Sequence, residues 1–321
     1  MISLTNADAA AIDRDLAAQQ VGPHEPELVG QLATAWTKAV GPMVQARAPG
    51  RPVLVGDTVV HMTPIVAFGT KPNPELGDLL LVTGYVRAGV LHRGRAVLFQ
   101  AKGPRTPLPP HQEHLYTSWP VFEIISPKVP HARWDVGPEG AAVPPSRRGA
   151  AFLRVQNRTV PQRYEIGRAR QQKSLGECTR AMLRCRYSRA FARVDPSPTG
   201  TNSWDQLITY LLMRTCDPTL RSLFGALPNG FPKQKKRRPG SGVVTSLDTS
   251  PSSRFPRSSQ RPKDEENRPR VIYALVVDED DERSGAKREC TRPGMLPSEQ
   301  QGSKPAGGSI AHILDIGSSK A

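Results

Sequence analysis

The segments ELGDLLLV at residues 75–82 and VLFQAK at residues 97–102 decide the fold of this chain of 321 residues. Leu79 to Val82 is an unbroken apolar run, which is typical of a strand covered on both faces. Residues 96–99 form a second such run, and the polar stretch from Gly84 to Gly94 can turn the chain back between them. The pattern therefore predicts an antiparallel β-hairpin.

Polar side chains gather at the open end of the predicted hairpin. Strands over residues 79–86 and 95–101, centred near residue 90, place Asp78 opposite Lys102. Because side chains alternate along a strand, Gln100 and Lys102 point to the same face. We therefore expect the carboxylate of Asp78 to converge with the amide of Gln100 and the ammonium group of Lys102.

These three groups suit a divalent metal ion and a phosphate. The carboxylate of Asp78 and the amide oxygen of Gln100 are ligands of the kind that Mg²⁺ or Mn²⁺ takes. The ammonium group of Lys102 can orient a water molecule or neutralise charge on a scissile phosphate. The hairpin end is therefore our candidate catalytic site, with Asp78 and Gln100 as candidate metal ligands.

Helix and strand patterns continue on both sides of the hairpin. Periodic apolar residues predict helices over residues 7–19, 27–44, 175–184 and 204–215. Shorter apolar runs predict strand pieces over residues 53–55, 59–62, 65–68, 151–155 and 271–277. The mixture favours an α/β fold in which helices flank a central mixed sheet.

Three aromatic residues, Tyr116, Trp119 and Phe122, lie close together after the hairpin. Tyr116 and Trp119 are able to stack on nucleic-acid bases, but large aromatic side chains are more often buried in a core. We therefore expect this segment to cover an edge of the sheet.

Composition divides the chain into four predicted parts. We expect a loosely ordered N-terminal helix (1–24), an α/β core (25–135), a basic and mainly helical extension packed on the core (136–227) and a largely disordered C-terminal tail (228–321). The tail is expected to be disordered because residues 228–270 are rich in Pro, Ser, Lys and Arg and contain few apolar residues. The strand predicted within the tail can dock on the main sheet or on a partner.

The net charge of +15 is confined to one block of the chain. Residues 1–140 and residues 241–321 each carry 12 Lys and Arg against 12 Asp and Glu, whereas residues 141–240 carry 20 against 5. So concentrated a charge attracts polyanions, of which nucleic acid is the commonest, with DNA favoured over RNA. An anionic membrane surface and an acidic partner remain open at this point.

The excess of Arg (32) over Lys (12) favours bidentate phosphate contacts or reflects a GC-rich genome.

Two basic stretches are candidates for contact with nucleic acid. The Arg-dense stretch from Arg147 to Arg193 can line a groove, and the run from Lys233 to Arg238 is a phosphate-binding arm, a nuclear import signal or a solvated linker. The candidate nucleic-acid-binding residues are Arg147, Arg148, Arg154, Arg158, Lys235, Lys236, Arg237 and Arg238.

Other classes of protein are disfavoured by what the sequence lacks. It contains no run of about 18 apolar residues, so we expect no transmembrane helix and no membrane partner. The N-terminus shows no basic start followed by an apolar run, which argues against a secretory signal. The four cysteines fit neither a zinc site nor a disulfide framework, so we expect a reduced, cytoplasmic protein. No Gly-rich phosphate loop, nucleophile elbow or dinucleotide fingerprint occurs.

The Asp78 strand followed by the Gln100-Ala101-Lys102 strand resembles the core of the PD-(D/E)XK nuclease superfamily, in a Gln-x-Lys variant. The resemblance covers roughly residues 25–125 and implies a restriction-endonuclease-like fold and Mg²⁺-dependent hydrolysis of nucleic acid. It implies that Asp78 is the metal carboxylate, Gln100 the second site position and Lys102 the catalytic lysine. The family's helix acid is best matched by Glu27, with Glu25 behind it.

The chain departs from the family pattern at two positions. Gln100 replaces the commoner glutamate, which removes one negative charge and should weaken metal binding, and Gly77 stands where proline usually precedes the aspartate. A purely structural interpretation of the motif is also open, with Gly77-Asp78 as a turn, Lys102 at a solvated strand exit and Glu27 as an acid that complements the helix dipole. The alternative functions are a catalytically inactive nucleic-acid-binding protein of the same fold and a basic adaptor that recruits an acidic partner.

Overall fold

A computed structural model describes residues 2–18, 25–60, 63–69, 71–103, 106–126, 128–137, 149–154, 163–165, 172–184, 188–194, 200–215, 217–223, 245–246 and 269–278. Its helices are α1 (Asn6–Ala18), α2 (Glu25–Arg47), α3 (Pro110–Ser118), α4 (Leu175–Leu183), α5 (Trp204–Met213) and α6 (Pro218–Ser222). Its strands are β1 (Val53–Val59), β2 (Ile65–Ala67), β3 (Leu79–Arg87), β4 (Val90–Lys102), β5 (Phe122–Ser126), β6 (Lys128–Trp134), β7 (Ala150–Arg154), β8 (Arg163–Glu165), β9 (Gln172–Ser174), β10 (Arg189–Ala192), β11 (Gly200–Asn202), β12 (Thr245–Ser246) and β13 (Arg270–Asp278). None of the helices in these ranges is long and apolar enough to cross a membrane.

The described strands form two sheets. The larger sheet has the order β12-β1-β13-β3-β4-β7-β8-β9, and β10 also pairs with β4. It is mixed, because β3 and β4 are antiparallel whereas β13 runs parallel to β3 and β7 runs parallel to β4. The smaller sheet has the order β11-β6-β5-β2. The predicted α/β class with a central mixed sheet flanked by helices is confirmed at this level.

The central strands are buried on both faces, as the unbroken apolar runs predict. On one face, Leu79, Leu81 and Phe99 belong to a cluster with residues of α1, α2 and α4, and we call this the α2 face. On the other, Leu80 and Leu98 belong to a cluster with residues of α5 and of the smaller sheet, and we call this the α5 face. Alternate residues of β3 and β4 therefore contact opposite helix layers.

The β3–β4 hairpin is longer than its sequence pattern predicts. Its turn is Ala88-Gly89, two residues with positive φ (49° and 69°), the geometry that matches the twist of a two-residue hairpin. Gly84 and Gly94, expected within the turn, instead pair with each other inside the strands. A Cβ on Gly94 would lie 2.6 Å from the carbonyl oxygen of Thr83, so glycine is needed there for close packing.

The longer strands correct the predicted register. Leu79 pairs with Phe99, and the backbone N–H of Asp78 donates to the carbonyl of Phe99 at 2.9 Å. Asp78 therefore lies beside Gln100 and not opposite Lys102.

The predicted tail strand is a central element of the sheet. β13 inserts between β1 and β3, and residues 271–276 are buried. Its first residue, Arg270, donates its backbone N–H to the carbonyl of Asp78 at 2.8 Å, and its guanidinium pairs with the buried carboxylate of Asp57 at 3.5 Å. Residues 269–278 thus belong to the core and not to a separate tail.

The first helix is fixed by a close contact with α4. The buried Asp13 accepts a hydrogen bond from the backbone N–H of Gly176 at 2.8 Å. A Cβ on Gly176 would lie 2.2 Å from the carbonyl oxygen of Ala9, so the two helices approach closely only because residue 176 is glycine. Ser174 and Glu177 close a capping box at the start of α4.

We expect Gly176→Ala to lower the free energy of unfolding by about 2 kcal/mol, because the new methyl group forces α1 away from α4. Gly41→Ala, at a helical glycine with nothing within 4 Å of an added Cβ, is the control, and it should leave the free energy of unfolding unchanged or raise it by up to about 1 kcal/mol. Urea unfolding followed by circular dichroism measures both, and equal effects would contradict the packing argument.

The buried carboxyl group of Asp13 should also make the stability of the protein depend on pH. Burial raises its pKa above the ordinary value, although hydrogen bonds from Ser174 and Gly176 oppose the rise. The folded state therefore holds this proton to higher pH than the unfolded state, and the contribution of Asp13 to stability falls as pH rises from the unfolded pKa of about 4 through the raised folded pKa. We expect Asp13→Asn, which keeps an acceptor oxygen, to remove this component, so that the stability of the variant relative to the wild type increases with pH in urea titrations. A constant difference would show that Asp13 has no raised pKa.

Candidate functional site

The Asp78 carboxylate and the Gln100 amide are in direct contact. Asp78 immediately precedes β3 and Gln100 lies near the end of β4, on the α5 face. One oxygen of Asp78, Oδ2, accepts hydrogen bonds from Nε2 of Gln100 and from the backbone N–H of Ala101, the latter at 2.7 Å. The hairpin register thus brings together the two side chains predicted as metal ligands.

This contact fixes the orientation of the Gln100 amide. Nε2 must face the carboxylate, because the opposite orientation would place two acceptor oxygens against each other. Oε1 then points away from Asp78, and it is buried with no hydrogen-bond partner in the described part of the chain. A buried amide oxygen of this kind is costly unless something binds to it.

The donor set fits a hard divalent cation with few protein ligands. One carboxylate and one amide oxygen are ligands that Mg²⁺ accepts, and Mg²⁺ usually keeps several waters. Among the described residues, no three His, Cys, Asp or Glu side chains are grouped to hold a metal ion. One carboxylate and one amide oxygen would leave the other coordination positions of such a cation to water and phosphate oxygens.

Lys102 lies two residues beyond Gln100 on the same face of β4. That spacing corresponds to about 7 Å along a strand. Gln100 is 1% exposed and Lys102 is 7% exposed, whereas Asp78 is partly exposed. Of the three side chains, Asp78 is therefore the most accessible to solvent. A small apolar pocket, lined in part by its neighbours Gly77 and Leu79, lies at the same end of the sheet.

The α3 helix covers the loop that carries Asp78. The Tyr116 hydroxyl donates to the carbonyl of Leu76 at 2.8 Å. Burial raises the pKa of this hydroxyl well above its ordinary value, and the negative charges of Asp78 and Glu75 raise it further. A Cβ on Gly77 would lie 2.6 Å from the Tyr116 hydroxyl oxygen, which explains why glycine precedes Asp78 here.

One residue of α3, Tyr116, was missed by sequence reasoning as a neighbour of the site. Tyr116 and Trp119 are buried, as predicted, but Tyr116 is also tied to the Asp78 loop. Gln112, one helical turn before Tyr116, is buried, and its Oε1 has no partner among the described residues. No local pattern signals the contact of Tyr116 with the Asp78 loop, because its partner Leu76 is 40 residues away in the sequence.

The structure places the start of α2 at the Asp78 end of the sheet, on the α2 face. Gly30 packs against the guanidinium of Arg270, since an added Cβ would be 3.2 Å from Nη2, and Arg270 is bonded through its backbone to Asp78. Glu27 lies about one helical turn before Gly30 in α2, but its side chain lies outside the described part of the structure. The helix that carries it packs on the face opposite to Gln100 and Lys102.

Of the predicted basic residues, Arg154 is described. Its guanidinium donates to the backbone carbonyls of Gly103, at 3.0 Å, and of Thr106. The other predicted contacts lie outside the described residues, namely Arg147, Arg148, Arg158, Lys235, Lys236, Arg237 and Arg238.

Comparisons of the chain with protein-family models, with curated protein sequences and with solved structures each gave no match. The function is therefore argued from the geometry at the end of the β3–β4 hairpin.

Proposed function

We propose that this protein is a metal-dependent nuclease, with a PD-(D/E)XK-type site formed by Asp78, Gln100 and Lys102. One observation carries the proposal. Nε2 of Gln100 is bonded to Asp78, so that the buried Oε1 is turned away from this carboxylate and has no partner among the described residues. A carboxylate and an amide oxygen are both ligand types that a divalent cation takes.

Each residue has a distinct role in the proposed reaction. Asp78 and Oε1 of Gln100 would hold Mg²⁺ or Mn²⁺, which supplies charge neutralisation at the phosphate and a more acidic water. The amide of Gln100 and the N–H of Ala101 fix the carboxylate of Asp78 in one orientation. The ammonium group of Lys102, in a buried setting, provides a positive charge that is strong because little water screens it.

The position of the site on the fold supports the same proposal. A mixed central sheet flanked by helices is the coarse architecture that the resemblance implies. The basic block at residues 141–240 supplies the attraction for a polyanionic substrate, with DNA favoured over RNA. Glu27, at the start of α2, remains the candidate for a further acid, although α2 packs on the face opposite to Gln100 and Lys102.

A second function is favoured by the burial of the site. Gln100 and Lys102 are almost inaccessible, and glutamine supplies no charge where the family usually has an acid. Both features fit a protein that keeps the fold and binds nucleic acid through its basic residues without cleaving it.

Cleavage assays separate these two functions. We expect the wild type to cleave DNA in the presence of Mg²⁺, and Lys102→Ala to lower the rate by about 100-fold or more while leaving the dissociation constant within about twofold. Single- and double-stranded DNA and RNA are the substrates, and EDTA is the metal-free control. Salt-dependent binding without cleavage by either protein would establish the non-catalytic function, and absence of binding at low salt would exclude both.

Gln100→Glu tests the metal site without relying on activity. A second carboxylate buried beside Asp78 is expected to lower the free energy of unfolding by about 3 kcal/mol without metal. Because Mg²⁺ gains a charged ligand, it should raise the melting temperature of this variant more than that of the wild type. NaCl at matched ionic strength controls for screening, and equal Mg²⁺ effects on both proteins would contradict metal binding at this position.

A further inference from the structure

Arg154 lies directly beside Lys102, on the neighbouring strand. β4 and β7 are parallel neighbours, and the last register pair between them is Lys102 with Arg154. The guanidinium of Arg154 reaches past the end of β4 to the carbonyls of Gly103 and Thr106. It therefore spans the turn that directly follows the proposed catalytic lysine.

This turn connects Lys102 to the helix that covers Asp78. The N–H of Thr106 donates back to the carbonyl of Gly103 at 3.3 Å, and a Cβ on Gly103 would lie 2.8 Å from the Thr106 hydroxyl oxygen. The chain then enters α3, whose Tyr116 bonds to the Asp78 loop. A displacement of this turn would therefore move both Lys102, which precedes it, and α3, which contacts the Asp78 loop.

The chemistry of arginine suits this role. Both hydrogen bonds to the turn come from Nη1, whose two N–H groups are held in fixed directions by the planar guanidinium. A lysine ammonium carries the same charge without that planar geometry. The N–H groups of Nη1 are taken by backbone carbonyls and are not available to a phosphate.

We propose that Arg154 is a positioning residue that ties the end of β7 to the Gly103–Thr106 turn and thereby holds Lys102 and α3 in place, and that it does not contact the phosphates of nucleic acid. The inference rests on the proposed function for the role of Lys102. It replaces the expectation that Arg154 is a nucleic-acid-binding residue.

Binding and cleavage measurements distinguish the two roles. We expect Arg154→Gln and Arg154→Lys to lower kcat at least tenfold, with the dissociation constant within twofold and an unchanged slope of log K against log salt. Arg237→Gln, in the proposed phosphate-binding arm, is the comparison and should reduce that slope by about one. A similar loss of slope in Arg154→Gln, restored in Arg154→Lys, would overturn the proposal.

Hydrogen exchange tests the clamp even if the protein cleaves nothing. Arg154→Gln should speed exchange in the segment 103–118 at least tenfold, Arg154→Lys should do so to a smaller extent, and segments of β3 and β13 should be unaffected. Arg93→Gln, at an exposed position on β4, is the control and should leave every segment unchanged. Unaltered exchange in segment 103–118 of both Arg154 variants would show that Arg154 does not stabilise the turn. Absence of cleavage by the wild type would count only against the nuclease function.

Discussion

The register between β3 and β4 is the constraint on which the rest of this structure depends. Pairing of Leu79 with Phe99 sends one set of side chains to α2 and the alternate set to α5. A slip of one residue would exchange the two sets, which both helix layers resist because each is already packed. The same register places Asp78 beside Gln100, so the site geometry follows from core packing.

Sequence patterns identified four of the six described helices and the central strands of the larger sheet, but not their long-range arrangement. The apolar runs of β3, β4 and β13 were visible because strands buried on both faces need continuous hydrophobic residues. Gly84 and Gly94 were misread as turn residues, since a glycine needed for a turn and one needed for close packing look alike in sequence. The position of β13 between β1 and β3 carries no local signal at all, because it depends on partners distant in the chain.

The candidate site was predicted in part for similar reasons. The convergence of Asp78 and Gln100 follows from the alternation of two adjacent strands, and a small register error did not separate them. The hydrogen bond that turns Oε1 of Gln100 away from Asp78 required coordinates, as did the contact of Tyr116 with the Asp78 loop. Arg154 was noticed for its charge, whereas its hydrogen bonds to the carbonyls of Gly103 and Thr106 required coordinates.

The insertion of β13 has a consequence for how the protein is made. A ribosome completes β1, β3 and β4 long before it reaches Arg270. Until then the flanking edges of β1 and β3 lack the strand that separates them, and unpaired apolar edges invite pairing with other chains. The two strands run in opposite directions, so an antiparallel pair between them would have to open before β13 inserts. The middle of the sheet is therefore the last part of the described core to be synthesised, and it closes only after β1, β3 and β4 have been made.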